Sequence, residues 1–340
     1  MPAQTFKSEP EFVAWLRRIA PTRRGRLRLG IGDDAALLAV ARGQELILTT
    51  DLSIEGIHFL PSLHPPRAVG HRALARSLSD IAAMGGTPRF ALVSLAISRR
   101  TSRRWVEEFY AGLNRLAGQF GTVIVGGDTA LVPDRIAIDV IVCGEVPAGR
   151  ALRRSGARPG DQIFVSGCLG LSALGLELLR GQGGTRAGRR SRRWTAEALC
   201  AHLYPTPQCE LGRFLSGRGL ASALIDVSDG LSTDLAHLCA ASGVGAWIGE
   251  ELIPKPAAPS TRDLQESDRL ALALHGGEDY QLLFTVPRRK VRQVPRAFQG
   301  IPLHWIGVIW VSKRLELLRA DGTHRRLEPG GWDHFRSPKG

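Results

Sequence analysis

The alternation of two apolar spacings between residues 45 and 147 constrains the fold more than any other feature of this chain. RAVGHRALARSLSDIAAMGG (67–86) sets Ala73, Leu74, Leu78, Ile81 and Ala82 near helical spacing and stops at a Gly-Gly pair. ELILTTDLS (45–53) and RFALVSLAIS (89–98), which flank it, read as strands. RRWVEEFYAGLNRLAGQFG (103–121) puts Trp105, Phe109, Leu113, Leu116 and Phe120 on one stripe and ends at Gly121. TVIVGGDT and RIAIDVIVCGEV then read as strands around a turn. At RRSGARPGDQIFVSG (153–167) glycine and proline interrupt the pattern and a new strand begins, so a domain boundary is expected near residue 150. The second half repeats the alternation. A helix follows SGCLGLSALGLELL, another lies near 207–219, and ASALIDVSDGLSTDLAHLCAASG comes next. GGEDYQLLFTV (276–286), two short strands near 303–318 and the tail GGWDHF (330–335) complete it. Two α+β domains, 1–149 and 150–340, are expected, and 340 residues suffice for two cores.

The opening stretch MPAQTFKSEPEFVAWLRRIA reads as a helix, with Ser8 and Glu11 in capping-box spacing and Phe12, Leu16 and Ile19 on one face. Acidic residues and Pro10 rule it out as a secretory leader. No apolar run approaches the roughly 20 residues that span a bilayer. Five scattered cysteines, with no C-x-x-C pair, argue against a disulfide framework or zinc site and for a reducing, cytoplasmic setting. The net charge of +13 attracts phosphates in general. Its densest run, TRAGRRSRR (185–193), follows three glycines and reads as a solvated loop.

Acids recur where elements turn. In LRLGIGDDAALLAV (27–40), Asp34 follows a glycine turn, and Asp33 beside it suits a backbone acceptor. Asp51 ends a strand behind Thr49 and Thr50, Asp80 interrupts an apolar helix stripe, and Asp128 follows VIVGG. Asp226 and Asp229 bracket Ser228. Any one of these is ordinary: an acid at a strand end caps something, and His58, Glu278 and Trp332 suit structural roles. Together, half-buried carboxylates need counter-charge. No lysine or arginine stands close in sequence to Asp51 or Asp128. Mg²⁺, which takes carboxylates, hydroxyls and phosphate oxygens together, would satisfy them, and Gly-rich turns let backbone N–H groups approach a polyphosphate. No G-x-x-x-x-G-K-[ST] occurs, and the protein-kinase and H-E-x-x-H signatures are absent.

In order, GIGDDAAL, TTDLSIEGIHF, SLSDIAAMGGTP, VGGDT, RSGARPGD, IDVSDGL, GGEDYQLLF and GWDHF resemble the thiamine-monophosphate kinase family, of the aminoimidazole ribonucleotide synthetase superfamily. The resemblance runs from about residue 28 to 335. It implies an α+β fold whose N-terminal domain pairs with a second copy into a barrel-like sheet, and a C-terminal domain that completes the nucleotide and substrate site. It implies transfer of the ATP γ-phosphoryl group to thiamine monophosphate. It assigns several Mg²⁺ ions to Asp34, Thr49, Thr50, Asp51, Asp80, Asp128, Asp226 and Asp229. Nucleotide contacts fall to Tyr110, Gly127, Arg154 and Ser228, and substrate contacts to His58, Glu278 and Trp332. The acceptor is a phosphate monoester with second pKa near 6, so no general base is expected. The thiazolium cation of thiamine suits the indole face of Trp332 and the charge of Glu278.

Departures from the family pattern fall at Ala130 and Leu131 (where Thr-Arg is usual), Leu171 (Asp), Gln208 (Arg) and Gln281 (Glu). None removes an expected metal ligand. Three alternatives stay open, among them an inactive nucleotide sensor that keeps metal binding without turnover. A second is another ATP-dependent enzyme of the superfamily; a selenophosphate synthetase would want an N-terminal reactive cysteine, whereas the first here is Cys143. The third is a nucleic-acid-binding protein, for which the aromatics are few and not interleaved with the basic run. Homodimerisation is expected; membrane and nucleic-acid partners are not.

Overall fold

The structure, a computed structural model, describes residues 15–16, 18–19, 26–29, 37–38, 41–181, 189–257 and 264–332. Asp33 and Asp34, most of the N-terminal helix expected over 8–19 and all of the tail after Trp332 lie outside the described residues. The chain divides into two compact units, residues 1–81 with 86–149 and residues 82–85 with 150–340.

In the first unit, β1 (Leu27–Leu29) and β2 (Leu37–Leu38) form a small antiparallel ladder. The main sheet has four strands in the order β3-β6-β4-β5, where β3 is Gln44–Ile54, β4 Thr87–Ser98, β5 Val123–Val132 and β6 Ala137–Pro147. β6 lies antiparallel to both neighbours, and β4 runs parallel to β5. Helices α1 (Pro66–Ala83) and α2 (Arg103–Gln119) join these strands. Proline suits the first turn of α1, where its missing N–H is not needed. The Ser102 hydroxyl caps α2 by accepting from the Trp105 N–H at 3.2 Å. Val106, Phe109, Leu113, Leu116 and Ala117 are buried along α2, as are Leu74, Leu78 and Ile81 along α1. Each such large side chain contributes on the order of 2 kcal/mol by leaving water. The two helix backbones touch at glycines: a Cβ on Gly112 would fall 1.9 Å from the Arg67 carbonyl oxygen.

The ladder runs further than the polar residues suggest. Asp51 and Asp128 lie inside β3 and β5, not at their ends. Strand pairing uses backbone groups, so hydroxyl and carboxylate side chains do not stop it while a neighbouring strand continues, as β6 does opposite all of β3.

In the second unit, seven strands follow the order β14-β13-β9-β12-β7-β10-β8, with β11 paired to β12. They are β7 (Gln162–Ser166), β8 (Ala223–Val227), β9 (Gly245–Gly249), β10 (Gln281–Val286), β11 (Ala297–Phe298), β12 (Ile301–Trp310), β13 (Leu315–Leu318) and β14 (His324–Arg326). All pairs are antiparallel except β13 with β9. Helices α3 (Leu171–Leu179), α4 (Arg189–Leu203), α5 (Cys209–Gly217), α6 (Leu231–Ser242) and α7 (Glu266–His275) complete it. Leu231, Leu235 and Leu238 of α6 share one core with Ile225, Val227, Ile248 and Leu283 of the sheet.

Helix α4 corrects one expectation. Arg189–Arg193, read as part of a solvated loop, belong to a helix that continues to Leu203. Arginine is a good helix former, and further along the helix Ala198 is fully buried and seats it. Among the described residues no helix is long and apolar enough to cross a membrane.

Candidate functional site

In the first unit β3 presents two faces. Thr49 and Asp51 project toward α1, where the Thr49 hydroxyl donates to Asp80 Oδ2 and the Ser77 hydroxyl donates to Asp51 Oδ2 at 2.9 Å. Arg76 Nε stands 3.6 Å from the other Asp51 oxygen. Arg76 and Ser77 each stand about one turn before Asp80 on α1, so the helix delivers a cation, a hydroxyl and a carboxylate toward β3. The cation absent from the sequence neighbourhood of Asp51 is therefore Arg76, twenty-five positions downstream.

Thr50 points to the other side of the sheet, as strand alternation requires, and its hydroxyl donates to Asp139 at 2.5 Å. Asp128 goes with it. The register aligns Leu52, Asp139, Ser94 and Asp128 in one row, while Asp51, Val140, Val93 and Gly127 form the next. Asp128 Oδ1 accepts from the Thr129 N–H at 2.8 Å. Thr49, Asp51 and Asp80 thus come together, and Thr50 and Asp128 do not join them.

His58 lies beyond the end of β3 and lines a small cavity with Ser53, Phe59, Arg72 and Arg76. Its Nδ1 accepts from the Ile54 N–H at 3.0 Å, which leaves the proton of the neutral ring on Nε2. Tyr110 is buried on α2 between Phe109 and Trp15, with ring centroids 5.2 and 5.4 Å away, and burial raises its phenol pKa. Gly127 takes φ 154° and leaves no room for a Cβ, which would fall 1.9 Å from the Val93 carbonyl oxygen.

In the second unit three segments far apart in sequence meet at the N-terminus of α6. Asp234 Oδ2 accepts from the N–H groups of Ser228, Asp229 and Gly230 at 3.1, 3.1 and 3.0 Å, closing the loop after β8. Burial first, then the charges of Asp226 and Asp229, push the Asp234 carboxyl up to about 8. The GGEDY turn docks on that loop through the Glu278 N–H, which donates to the Ser228 carbonyl at 2.7 Å. The C-terminal stretch docks through the Trp332 N–H, 3.2 Å from the Asp229 carbonyl oxygen. The Gly330 and Gly331 N–H groups donate to the Ser232 and Thr233 hydroxyls at 3.2 and 3.0 Å. Only glycine fits at these seams. A Cβ on Gly331 would fall 1.9 Å from the Asp229 carbonyl oxygen, and one on Gly277 2.4 Å from that of Ser228. The result groups Asp226, Ser228, Asp229, Glu278 and Trp332. Arg154, exposed, is tied to this unit through its carbonyl, which accepts from the Ser242 hydroxyl at 3.1 Å.

Beside this junction, Asp279 is buried and accepts from the Gly170 and Ser172 N–H groups at 2.6 and 3.0 Å, holding the start of α3. Burial pushes its carboxyl up to about 7. Asp279 was read from the sequence as an acid that could cap a strand or turn, and it holds a helix start; Arg76, Ser77, Asp139, Ser172, His202 and Asp234 were not singled out. For Arg76 and Ser77 the signal was present, since both lie three or four positions from Asp80 on one helix.

Among the described residues no three acidic, histidine or cysteine side chains are grouped tightly enough to cage a metal by themselves. The donors present are carboxylates and hydroxyls, hard oxygens that suit Mg²⁺. That ion is held by one or two carboxylates plus substrate phosphates rather than by an all-protein cage. The donor chemistry fits.

Two family models match the chain: AIR synthase related protein, N-terminal domain, over residues 32–146, and AIR synthase related protein, C-terminal domain, over residues 158–318. The thiamine-monophosphate kinase of Salmonella typhimurium (strain LT2) is 39% identical over 334 residues, which cover 96% of this chain and 99% of that relative. The crystal structure of thiamine-monophosphate kinase from Stenotrophomonas maltophilia K279a is similar with a TM-score of 0.79 and 32% identity, covering 94% of this chain and 98% of the other. "AaThiL complexed with AMPPCP and TMP" is similar with a TM-score of 0.74 and 33% identity, covering 96% and 97%.

Proposed function

The chain belongs to the thiamine-monophosphate kinase family, and from that membership we infer that it transfers the γ-phosphoryl group of ATP to thiamine monophosphate, giving thiamine diphosphate and ADP. The observation that carries the reading to this chain is the three-segment junction. Glu278 and Trp332, a carboxylate and an indole that complement a thiazolium cation, are both hydrogen-bonded through their backbones to the Ser228–Asp229 loop. A relative bound to AMPPCP, an ATP analogue, and TMP supports the same pair of ligands.

Mg²⁺ is assigned to Thr49, Asp51 and Asp80 of the first unit and to Asp226 and Asp229 of the second, with Asp34, Thr50 and Asp128 as further ligands from the resemblance. When bound, the metal supplies positive charge that screens the phosphates and stabilises the charge of the transferring group. The chain's own residues do the rest. Gly127, Ser228, Arg154 and Tyr110 are the nucleotide contacts. His58 offers an Nε2–H donor beside Arg72 and Arg76, a polar wall suited to an anionic substrate. Glu278 and Trp332 orient the cationic ring so that the acceptor phosphate lies in line. No side chain is required as a base, because the monoester is largely ionised at neutral pH. Productive alignment is the main contribution of the fold, since intramolecular positioning is worth several kcal/mol of barrier.

The first domain, 1–149, is the ATP- and Mg²⁺-binding, dimerising domain of the reading, and 150–340 adds further nucleotide and substrate contacts. Leu46, Leu48 and Leu52 on the outer face of β3 are 48%, 68% and 50% exposed, which supports pairing of two copies through this sheet into a barrel. With ATP as donor, the cytoplasm is the compartment assigned to the reaction.

The test is direct. Purified protein with ATP, Mg²⁺ and thiamine monophosphate should form thiamine diphosphate one-for-one with ADP, separated by chromatography, and lose the reaction in Asp128→Asn. ATP hydrolysis without thiamine diphosphate would overturn the reading.

A further inference from the structure

His202 has no part in the chemistry described so far, yet its surroundings tie it to Glu278. It sits on the last turn of α4 with a side chain only 1% exposed. Its Nδ1 lies 3.1 Å from the Ser172 hydroxyl and 3.9 Å from Glu278 Oε2. Ser172 is itself fully buried on the first turn of α3, and its N–H is taken by Asp279 Oδ1 at 3.0 Å. The two helices that carry His202 and Ser172 pack closely. At Gly175, where α3 and α4 pack, a Cβ would fall 2.2 Å from the Ala198 carbonyl oxygen and 2.7 Å from the His202 Cβ. Burying an imidazole between two helices costs free energy that an apolar side chain would not, unless its polar atoms are used. The Ser172 hydroxyl uses Nδ1, and the carboxylate that stands 3.9 Å from the same nitrogen is unusual in its own right. Glu278 holds left-handed backbone, φ 64°, which is uncommon for a residue other than glycine and recurs at functional sites. Its carboxylate is 28% exposed, so one side is open to a ligand while the other meets His202.

We propose that His202, with Ser172, is a positioning residue for substrate recognition: it fixes the Glu278 carboxylate in the orientation that receives the cationic ring of thiamine monophosphate. The proposal rests on the reading of Glu278 as a substrate contact. The strained turn sets where the Glu278 Cα stands, and the imidazole sets where its oxygens point. A carboxylate free to rotate would pay rotamer entropy on each binding event, and holding it in advance removes that cost.

The experiment measures KM for thiamine monophosphate and for ATP, separately, in His202→Leu, His202→Asn, Ser172→Ala, Glu278→Ala and the His202→Leu/Glu278→Ala double variant, with a thermal melt for each. His202→Leu should raise KM for thiamine monophosphate about tenfold and leave KM for ATP within about twofold. His202→Asn, whose side-chain amide nitrogen falls near the Nδ1 position, should restore most of the loss. The double variant should be no worse than Glu278→Ala alone, because the imidazole acts through the carboxylate. Ser172→Ala, the milder change, should show the same split at about threefold and carries the test if His202→Leu does not fold. Equal rises in both KM values, additive single effects, or no rescue by asparagine would overturn the positioning role. An unchanged KM for thiamine monophosphate in Glu278→Ala would instead overturn the reading of Glu278 and the proposal with it.

Discussion

Asp51 engages two protein donors at once, the Ser77 hydroxyl at 2.9 Å on one oxygen and the Arg76 guanidinium 3.6 Å from the other. Asparagine at this position keeps the shape and one acceptor oxygen but removes the charge. Asp51→Asn is therefore expected to fold with a melting temperature within a few degrees of the parent. It should lose about a hundredfold or more in kcat, the cost typical of deleting one electrostatic stabiliser. Wild-type turnover in the purified variant would remove Asp51 from the metal site. Asp279 makes a different kind of prediction. Its carboxyl is pushed up to about 7 by burial, against an unfolded value of 3.8. A raised native pKa means the folded chain holds a proton that the unfolded chain has released. Its contribution to stability is therefore full below about pH 4 and is lost as pH rises through about 7. Melting the parent and Asp279→Asn in parallel across that range should show the parent losing ground to the variant as pH rises. A difference between them that does not change with pH would mean Asp279 stays ionised at the start of α3.

Elements rather than residues build the candidate site of the second unit. The turn before β10 and the chain before Trp332 are each held to the Ser228–Gly230 loop by a backbone hydrogen bond, and the Gly330 and Gly331 N–H groups donate to hydroxyls of α6. Gly331→Ala should disturb this junction without touching a reacting group. A new Cβ 1.9 Å from the Asp229 carbonyl oxygen cannot be accommodated by a side-chain shift, so the last strap must lift. The expected result is a KM for thiamine monophosphate raised about tenfold with a melting temperature lowered by only about 2–4 °C. An unaltered KM would separate Trp332 from the substrate. The elements themselves were largely legible, because α1 and α2 carry long apolar stripes and β3, β4 and β6 are dense in β-branched and aliphatic residues. What the chain did not disclose is what depends on tertiary packing. Thr49 and Thr50 look like a pair in sequence, yet one β-strand sends them to opposite faces, and Asp128 follows Thr50 for the same reason of register. His202 and Glu278 are seventy-six positions apart and meet only because α4 packs on α3. The basic run at 189–193 was misread because arginine marks solvent exposure and helix propensity equally.

The whole molecule carries a net charge of +13 and consumes two anionic substrates, so encounter should be assisted by long-range attraction. kcat/KM for each substrate is expected to fall as NaCl is raised from about 20 to 300 mM, where the Debye length shrinks severalfold, and a flat profile would make the charge irrelevant to capture. The other whole-molecule feature is the outer surface of the first unit. Among the described residues the sheet order β3-β6-β4-β5 leaves β3 and β5 as open edges, and β3 adds Leu46, Leu48 and Leu52 to one outward face. Open edges and exposed leucines are both liabilities for a lone sheet. Two four-stranded sheets joined at their edges give eight strands, the number that closes a barrel with a side-chain-filled interior. In that arrangement the outer face turns inward: Leu48 lies in a row with Cys143 and Phe90, four residues along β3 from the row that holds Leu52, Asp139 and Asp128, and the exposed leucines gain cover. Leu48 is the sharpest probe, because it is 68% exposed in the single chain and a polar replacement there does not disturb that chain's own core. Leu48→Glu would bury a charge in the closed barrel, a cost large enough to separate the copies. Light scattering coupled to gel filtration should therefore give the mass of two chains for the parent and of one chain for Leu48→Glu, with circular dichroism unchanged. A parent that runs as a single chain, or a Leu48→Glu variant that stays paired, would show that this face meets solvent.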